Sequence, residues 1–483
     1  MRLTASRILK GSVVVTASSI IIFALRFARN IILAHILIKF DYGACVALTT
    51  VVTSAQLLTD FGFDKMLIQE RSAPIDRLQP VLTALNIVRA TFTGLLLLAL
   101  ARPLSDMFGA PNAMGAFALL ALGVFLQGLF HLDLIRVQRD HQFAPIAYQN
   151  LTVALVDFVV VLVWAYLFHG YFAVPVAYMA STAGGLIVSQ LLAERRLSVR
   201  WNADIVKRAW QFGSPLVLSG IIILLASQAD RILVGASLGL PMLAVYGAAM
   251  TIIATPTSFV SNVAITVLLP ALSEAASDDV QFTQRFRYVG IIVTFIAGMI
   301  FMPVMFLGKP VIARAFGVAY SPSLELVWII GLGQAAALVR VWPNLGALAL
   351  GETKNLIVSN IPRAIGVAIA LLATHLNLGL LGIAVSFAFG EVVSLVSALW
   401  HLRHRRPQLL LGSFLLFAIL YTGILLAAET SYQVEGEVLV AVAASFAFNC
   451  LLGVVFLLVS ADTRRVLKTA MARIARRKPE ATG

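Results

Sequence analysis

Acidic residues and cysteine are both scarce in this chain. Its 483 residues include 23 Asp and Glu against 36 Lys and Arg, with two cysteines, Cys45 and Cys450. Both cysteines lie in apolar stretches, which excludes a disulfide framework and a cysteine-based metal site. There is no glycine-rich phosphate loop, no histidine pair at metal-ligand spacing and no Gly-x-Ser-x-Gly elbow. Nor is any external connection long enough to present a carboxylate pair for general acid or base work. No catalytic, metal-binding or cofactor-binding residue is therefore assigned, and the chain does not read as an enzyme.

Apolar residues dominate instead. At 60% hydrophobic, 12% charged and a mean hydropathy of +0.92, the chain is more apolar than a soluble core of this length requires. It reads as an all-α polytopic membrane protein. About fourteen transmembrane spans are expected, near 11–36, 41–62, 79–100, 114–135, 144–168, 171–193, 213–236, 242–268, 286–308, 323–349, 355–375, 379–401, 409–428 and 437–460. Each is long enough to cross a hydrocarbon core of ~30 Å at ~1.5 Å per residue. The first is too long for a signal core, and Arg26 and Arg29 interrupt it.

A net charge of +13 would suit nucleic acid if it were clustered, but it is not. With the N-terminus inside, 26 of the 36 Lys and Arg fall in cytoplasmic segments or, as Arg287 does, at a span's cytoplasmic edge, four fall outside (Lys39, Arg102, Lys309, Arg314) and six lie deeper within spans. That bias places both termini in the cytoplasm and argues against a nucleic-acid partner. The longest cytoplasmic connection, Glu194 to Phe212, interleaves Arg195, Arg196, Arg200, Lys207 and Arg208 with Trp201, Ile205, Val206 and Trp210, and predicts an amphipathic helix at the headgroups.

That connection separates two related halves. Arg29 precedes Tyr42-Gly43-Ala44, and Arg231 precedes Tyr246-Gly247-Ala248, at spacings of 13 and 15 residues. The expected organisation is a lobe of six helices over 1–200, a second over 201–403, two further helices over 404–460 and a basic cytoplasmic tail over 461–483. Prolines 175, 256, 303 and 343 lie within spans and should bend or break them.

The costliest residues are the six arginines within spans, Arg26, Arg29, Arg89, Arg231, Arg340 and Arg363. A guanidinium keeps its proton, and insertion at a helix centre is unfavourable by roughly 2.5–3.5 kcal/mol. Arg26 and Arg29 share a helix face. Arg231 has Ser227 and Gln228 at i−4 and i−3, Arg363 has Ser359 and Asn360 in the same relation, and Arg340 precedes Asn344 by four. Such polar stripes mark a wet or protein-facing surface suited to an anion. Arg89, with Asn86 at i−3 but Leu85 at i−4, reads as structural. Asp157 and Glu391 are acids at membrane depth, equally suited to ion coupling or to pairing with an arginine, whereas Asp230 is expected as the counter-ion of Arg231.

The run from Arg29 to Gln69, with Asp41-Tyr42-Gly43 and Asp60-Phe-Gly-Phe-Asp-Lys-Met-Leu-Ile-Gln, resembles Wzx-type polysaccharide flippases of the multidrug/oligosaccharidyl-lipid/polysaccharide (MOP) exporter superfamily. So do Ser227-Gln-Ala-Asp-Arg-Ile-Leu-Val-Gly, Val245-Tyr-Gly-Ala-Ala and Leu268-Leu-Pro-Ala-Leu-Ser. The resemblance implies a V-shaped pair of six-helix lobes in a bacterial inner membrane, moving a polyprenyl-diphosphate-linked oligosaccharide to the outer leaflet. It assigns Arg26, Arg29, Arg231, Arg340 and Arg363, with Gln228 and Asn360, to the substrate. No resident cofactor is implied, although proton or sodium coupling through Asp157 or Glu391 fits. Membrane lipids, glycosyltransferases and a polymerase are the expected partners. The alternatives are a peptidoglycan-precursor flippase, then a drug/cation antiporter, then a membrane-embedded glycosyltransferase or polymerase.

Overall fold

Backbone N–H and C=O groups inside a bilayer must be satisfied within the protein, and helices do this segment by segment. The computed structural model describes residues 5–70, 74–140 and 142–405, with positions 440, 443 and 447 beyond them. Among the described residues there are fifteen α-helices and no strand. They are α1 (Ala5–Ile36), α2 (Lys39–Leu58), α3 (Phe63–Gln69), α4 (Ile75–Met107), α5 (Met114–Gly128), α6 (Asp133–Arg136), α7 (Ala144–Phe168), α8 (Ala173–Leu191), α9 (Ala203–Ser227), α10 (Ala229–Leu238), α11 (Leu240–Glu274), α12 (Asp279–Phe316), α13 (Leu324–Ala349), α14 (Thr353–His375) and α15 (Gly379–Arg405). Eleven helices are long and apolar enough to span a membrane, or twelve if α2 and α3, bent by 43°, count as one. The protein is thus a multi-pass membrane protein. The expected spans at 409–428 and 437–460 and the basic tail at 461–483 lie outside the described residues.

Helix α4 shows how the sequence sorts its faces. Val88, Phe92, Leu95 and Leu96 form an exposed apolar stripe, while Asn86, Ala90, Thr93 and Leu97 are buried. The exposed stripe suits lipid, and the buried one carries small and polar residues, as helix contacts in membranes do.

The packing forms two compact units. The first takes in residues 1–251, 312–321 and 370–383; here α7 packs on α8 and α1, α4 on α5, and α5 on α8. Among the described residues the second takes in 252–311, 322–369 and 384–405. Within it Trp342 of α13 is 1% exposed, donates its indole N–H to the Phe286 carbonyl of α12 at 2.8 Å, and lies with its ring 4.9 Å from that of Phe286.

Helices run unbroken through Pro256, Pro303 and Pro343, so these prolines do not break them, and breaks fall at Thr59–Gly62 and at Gln228. Gly62 turns the first break with φ +63°, a conformation that strains residues carrying a Cβ. The Glu194–Phe212 connection also differs from its expected form. Residues 194–202 are not helical, and Ala203 onward begins α9, capped by the Asn202 side chain accepting from the Ile205 N–H at 3.0 Å. The apolar face of that segment meets protein: Ile205 and Ala209 pack into a core of Phe63, Met66, Leu67, Leu78, Val81, Leu82 and Leu132.

Beyond the end of α5, Asp133 ties this end of the first unit together. It is 1% exposed, pairs with Arg136, and accepts from the backbone N–H of Glu194 at 2.8 Å and of Arg195 at 3.3 Å. Burial pushes its carboxyl up, but the hydrogen bonds from Arg136 and the Glu194 N–H, with the Arg136 charge, outweigh this and hold it below the ordinary value. A depressed carboxyl stabilises the fold above the unfolded pKa of ~3.9, and that stability is lost as pH falls through the native value. Asp133→Asn, which leaves Arg136 short of a buried partner, should lower the unfolding free energy by about 3 kcal/mol at pH 7. The difference between variant and wild type should shrink below pH 4, as measured by thermal unfolding in detergent.

Candidate functional site

The arginines expected at the substrate gather into three clusters, each within one unit. In the first unit Arg29 of α1 donates to Asp157 of α7 at 2.6 Å, both side chains being largely buried. Arg26, one turn away and exposed, feels both charges. The Arg29 Nε has no hydrogen-bond partner. Two cations and one carboxylate therefore lie together.

The second unit repeats that ratio. Glu391 of α15 accepts from the Arg363 Nε of α14 at 2.6 Å and from the Arg340 Nη2 of α13 at 3.2 Å. The Asn360 Oδ1 lies between the same guanidiniums, 3.2 Å from Arg363 and 3.5 Å from Arg340. All three ionic side chains are at most 17% exposed, so the cluster is a desolvated triad in which two guanidiniums share one carboxylate. Small residues make it possible. A Cβ on Gly390 would sit 3.4 Å from the Arg363 Cα, and one on Gly333 would sit 3.1 Å from the Ala388 Cα. These close approaches bring α14 and α13 against α15 at the depth of Glu391.

The third cluster is the break between α9 and α10. The Arg231 Nη1 donates to the Ser227 carbonyl at 3.2 Å and to Gln228 Oε1 at 3.1 Å, both neutral acceptors. Asp230, expected as the counter-ion, is engaged elsewhere. Its Oδ1 accepts from the Arg231 backbone N–H at 2.8 Å and its Oδ2 from the Tyr246 hydroxyl at 2.9 Å. The reason is direction: the side chain of Asp230 is buried toward α11, while that of Arg231 turns back along its own helix.

Arg89, read as structural, donates to the Thr59 carbonyl at 3.2 Å and to Asn86 Oδ1 at 2.9 Å. It also borders a cavity of about 310 Å³ in the first unit, formed where α2 breaks at Asp60-Phe-Gly-Phe-Asp. The cavity was not foreseen. That five-residue motif was its one local signal. No group of three or more His, Cys, Asp or Glu positioned for a metal occurs among the described residues.

Many membrane-spanning helices with arginines at depth and polar breaks between them define a class of polytopic membrane protein with a polar interior. The fold is similar to that of the lipid II flippase MurJ in an inward closed conformation (TM-score 0.68, 10% identity, covering 92% of this chain and 99% of that one). It is also similar to an inward-facing MATE family multidrug transporter of the MOP superfamily (TM-score 0.65, 14% identity, 80% and 94%). Two curated relatives are named for exopolysaccharides. The succinoglycan biosynthesis transport protein ExoT of Rhizobium meliloti is 24% identical over 358 residues, 68% of this chain and 71% of its own length. The amylovoran biosynthesis protein AmsL of Erwinia amylovora is 26% identical over 247 residues, 50% of this chain and 62% of its own length.

The fold is accordingly that of a MOP-type transporter. More narrowly, the chain belongs to the polysaccharide biosynthesis protein family, whose model matches residues 32–325.

The Glu391 triad depends on helix spacing as much as on charge. Gly390→Leu should overpack the α14–α15 contact, at a cost of about 1–3 kcal/mol. Its melting temperature in detergent should fall, whereas a leucine at the exposed Val385 of the same helix should leave it unchanged.

Proposed function

We propose that this MOP-type polysaccharide transporter flips a polyprenyl-diphosphate-linked oligosaccharide repeat unit, a precursor of O-antigen, capsule or exopolysaccharide, from the inner to the outer leaflet of a bacterial inner membrane. The observation that carries this reading is that two separate clusters each set two arginines beside one carboxylate, Arg29 and the exposed Arg26 at Asp157, and the largely buried Arg340 and Arg363 at Glu391. A structural ion pair would be balanced. An excess cation in a desolvated place stores affinity for an anion, and guanidinium forks match phosphate oxygens in paired hydrogen bonds.

In this reading Arg26, Arg29, Arg231, Arg340 and Arg363 hold the diphosphate, with Gln228 and Asn360 supporting the guanidiniums. The polyprenyl tail stays in lipid. Asp157 and Glu391 hold the arginines in the empty carrier. As phosphate oxygens take over the guanidiniums, the carboxylates are released and take up a proton or a sodium ion, which couples cargo to an ion gradient. Rocking of the six-helix lobes, 1–200 and 201–403, exposes the cargo on alternate sides, with both termini cytoplasmic. Glycosyltransferases and a polymerase supply and consume the cargo.

Alanine at Arg29, Arg231, Arg340 or Arg363 should abolish surface polysaccharide in cells while membrane protein levels stay normal. Lysine should restore only part of the output, because it offers a point charge in place of a fork. Normal glycan output from the single and combined alanine variants would sink the proposal. For coupling, export should fall when an ionophore collapses the proton or the sodium gradient. Asp157→Asn with Glu391→Gln should make any remaining export insensitive to that collapse, and unchanged sensitivity would exclude the two acids from coupling.

A further inference from the structure

The cavity beside Arg89 differs in chemistry from the arginine clusters. Its wall includes Asp60, Phe61, Arg89, Gln127, Gln149 and Asn150. Asp60 is paired with Lys65 at 2.8 Å, which leaves Asp64 and Arg89 as opposite charges on the wall, so the site carries no cationic excess to favour an anion. Its amides are only partly used. Gln127 Oε1 accepts from Gln56 and from the Tyr178 hydroxyl at 2.9 and 3.1 Å, which leaves its NH2 group without a partner among the described residues. Gln149 is 3% exposed and donates to the Gly185 carbonyl at 3.4 Å, which leaves its Oε1 free. Arg89 Nε is buried and has no partner.

A ligand that satisfied this wall would carry several groups able both to donate and to accept, and no net negative charge. A hydroxylated ring meets that description. Side-chain amides and carboxylates bond hydroxyls in pairs. About 310 Å³ stands at the small end of ligand clefts, roughly 300–1,000 Å³, and suits one or two rings rather than a chain. Binding polar groups that would otherwise stay unpaired also discriminates strongly, because a ligand lacking the matching hydroxyl leaves them unsatisfied.

We propose that this cavity is a saccharide-recognition site that takes a neutral pyranose ring of the cargo. The proposal rests on the flippase reading above and gives it a second, chemically separate contact. The arginines hold the diphosphate, and the cavity reads the sugar.

The test uses the full chain in nanodiscs and saturation-transfer NMR with the methyl glycosides of glucose, galactose and N-acetylglucosamine. At least one glycoside should bind. Gln149→Met, close in volume, and Asn150→Ala, on the exposed rim, should each weaken it about tenfold, as expected when a hydrogen-bonded hydroxyl loses its partner. Arg102→Ala, at the far end of α4, should not change it. Absence of transfer from every glycoside, equal transfer in wild type and both cavity variants, or displacement of the glycoside by inorganic diphosphate would overturn the proposal. A uridine diphosphate hexose competing more than tenfold better than the glycoside would assign the site to soluble donor sugars and overturn the cargo assignment. Arg363→Ala separates the two proposals. If it exports normally while glycoside still binds to the cavity, the flippase mechanism fails and the sugar site stands.

Discussion

Glu391 holds two arginines from two different helices, and the second unit is organised around that shared carboxylate. Neither Arg340 nor Arg363 can lose its charge, so in a low-dielectric interior each needs an anion within hydrogen-bond reach. One carboxylate for two guanidiniums satisfies the need incompletely. Asn360, which turns its carbonyl oxygen to both, meets part of the remainder, while the Arg340 Nε is buried with no hydrogen-bond partner. The close packing of α13, α14 and α15 follows from the same requirement, since the fork, the amide and the carboxylate meet only where Gly333 and Gly390 let the backbones approach. Arg29 and Asp157, with Arg26 nearby, restate the arrangement in the first unit with a different pair of helices.

An incompletely neutralised cluster is poised rather than inert. Its carboxylate is strongly held while the arginines have no other anion, and weakly held once they do. In the proposed mechanism that property links cargo to ion, because an anion that takes the guanidiniums frees the carboxylates for a cation. The interior is not uniformly cationic, however. The cavity at the α2–α3 break carries more carboxylate than guanidinium and is lined by amides. Arginine clusters and an amide-lined cavity are therefore separate features of one chain.

Much of this was legible in the sequence, in ways that follow from how local each signal is. Hydropathy located the first twelve spans, and polar spacing picked out Asn360 as a neighbour of Arg363 and Gln228 as a neighbour of Arg231, because residues three apart on a helix share a face. The partners of the acids were not legible. Asp157 lies 128 residues from Arg29, and Glu391 lies 51 from Arg340. Asp230 shows the converse, since adjacency in sequence suggested an ion pair while opposite side-chain directions sent the carboxylate to Tyr246. For Glu194–Phe212 the apolar face was correctly periodic, but periodicity does not say what covers it, and Ile205 found a protein core where lipid was expected.

By itself the sequence determined that this chain is helical, crosses a membrane many times and carries arginines at depth, because hydropathy, periodicity and charge are properties of short stretches. The tertiary structure alone decided which acid meets which arginine, that two arginines share the Glu391 carboxylate, and that a polar cavity opens where α2 breaks. Those outcomes depend on how closely helices distant in sequence approach one another, and that distance is set by small residues and side-chain direction on several helices at once.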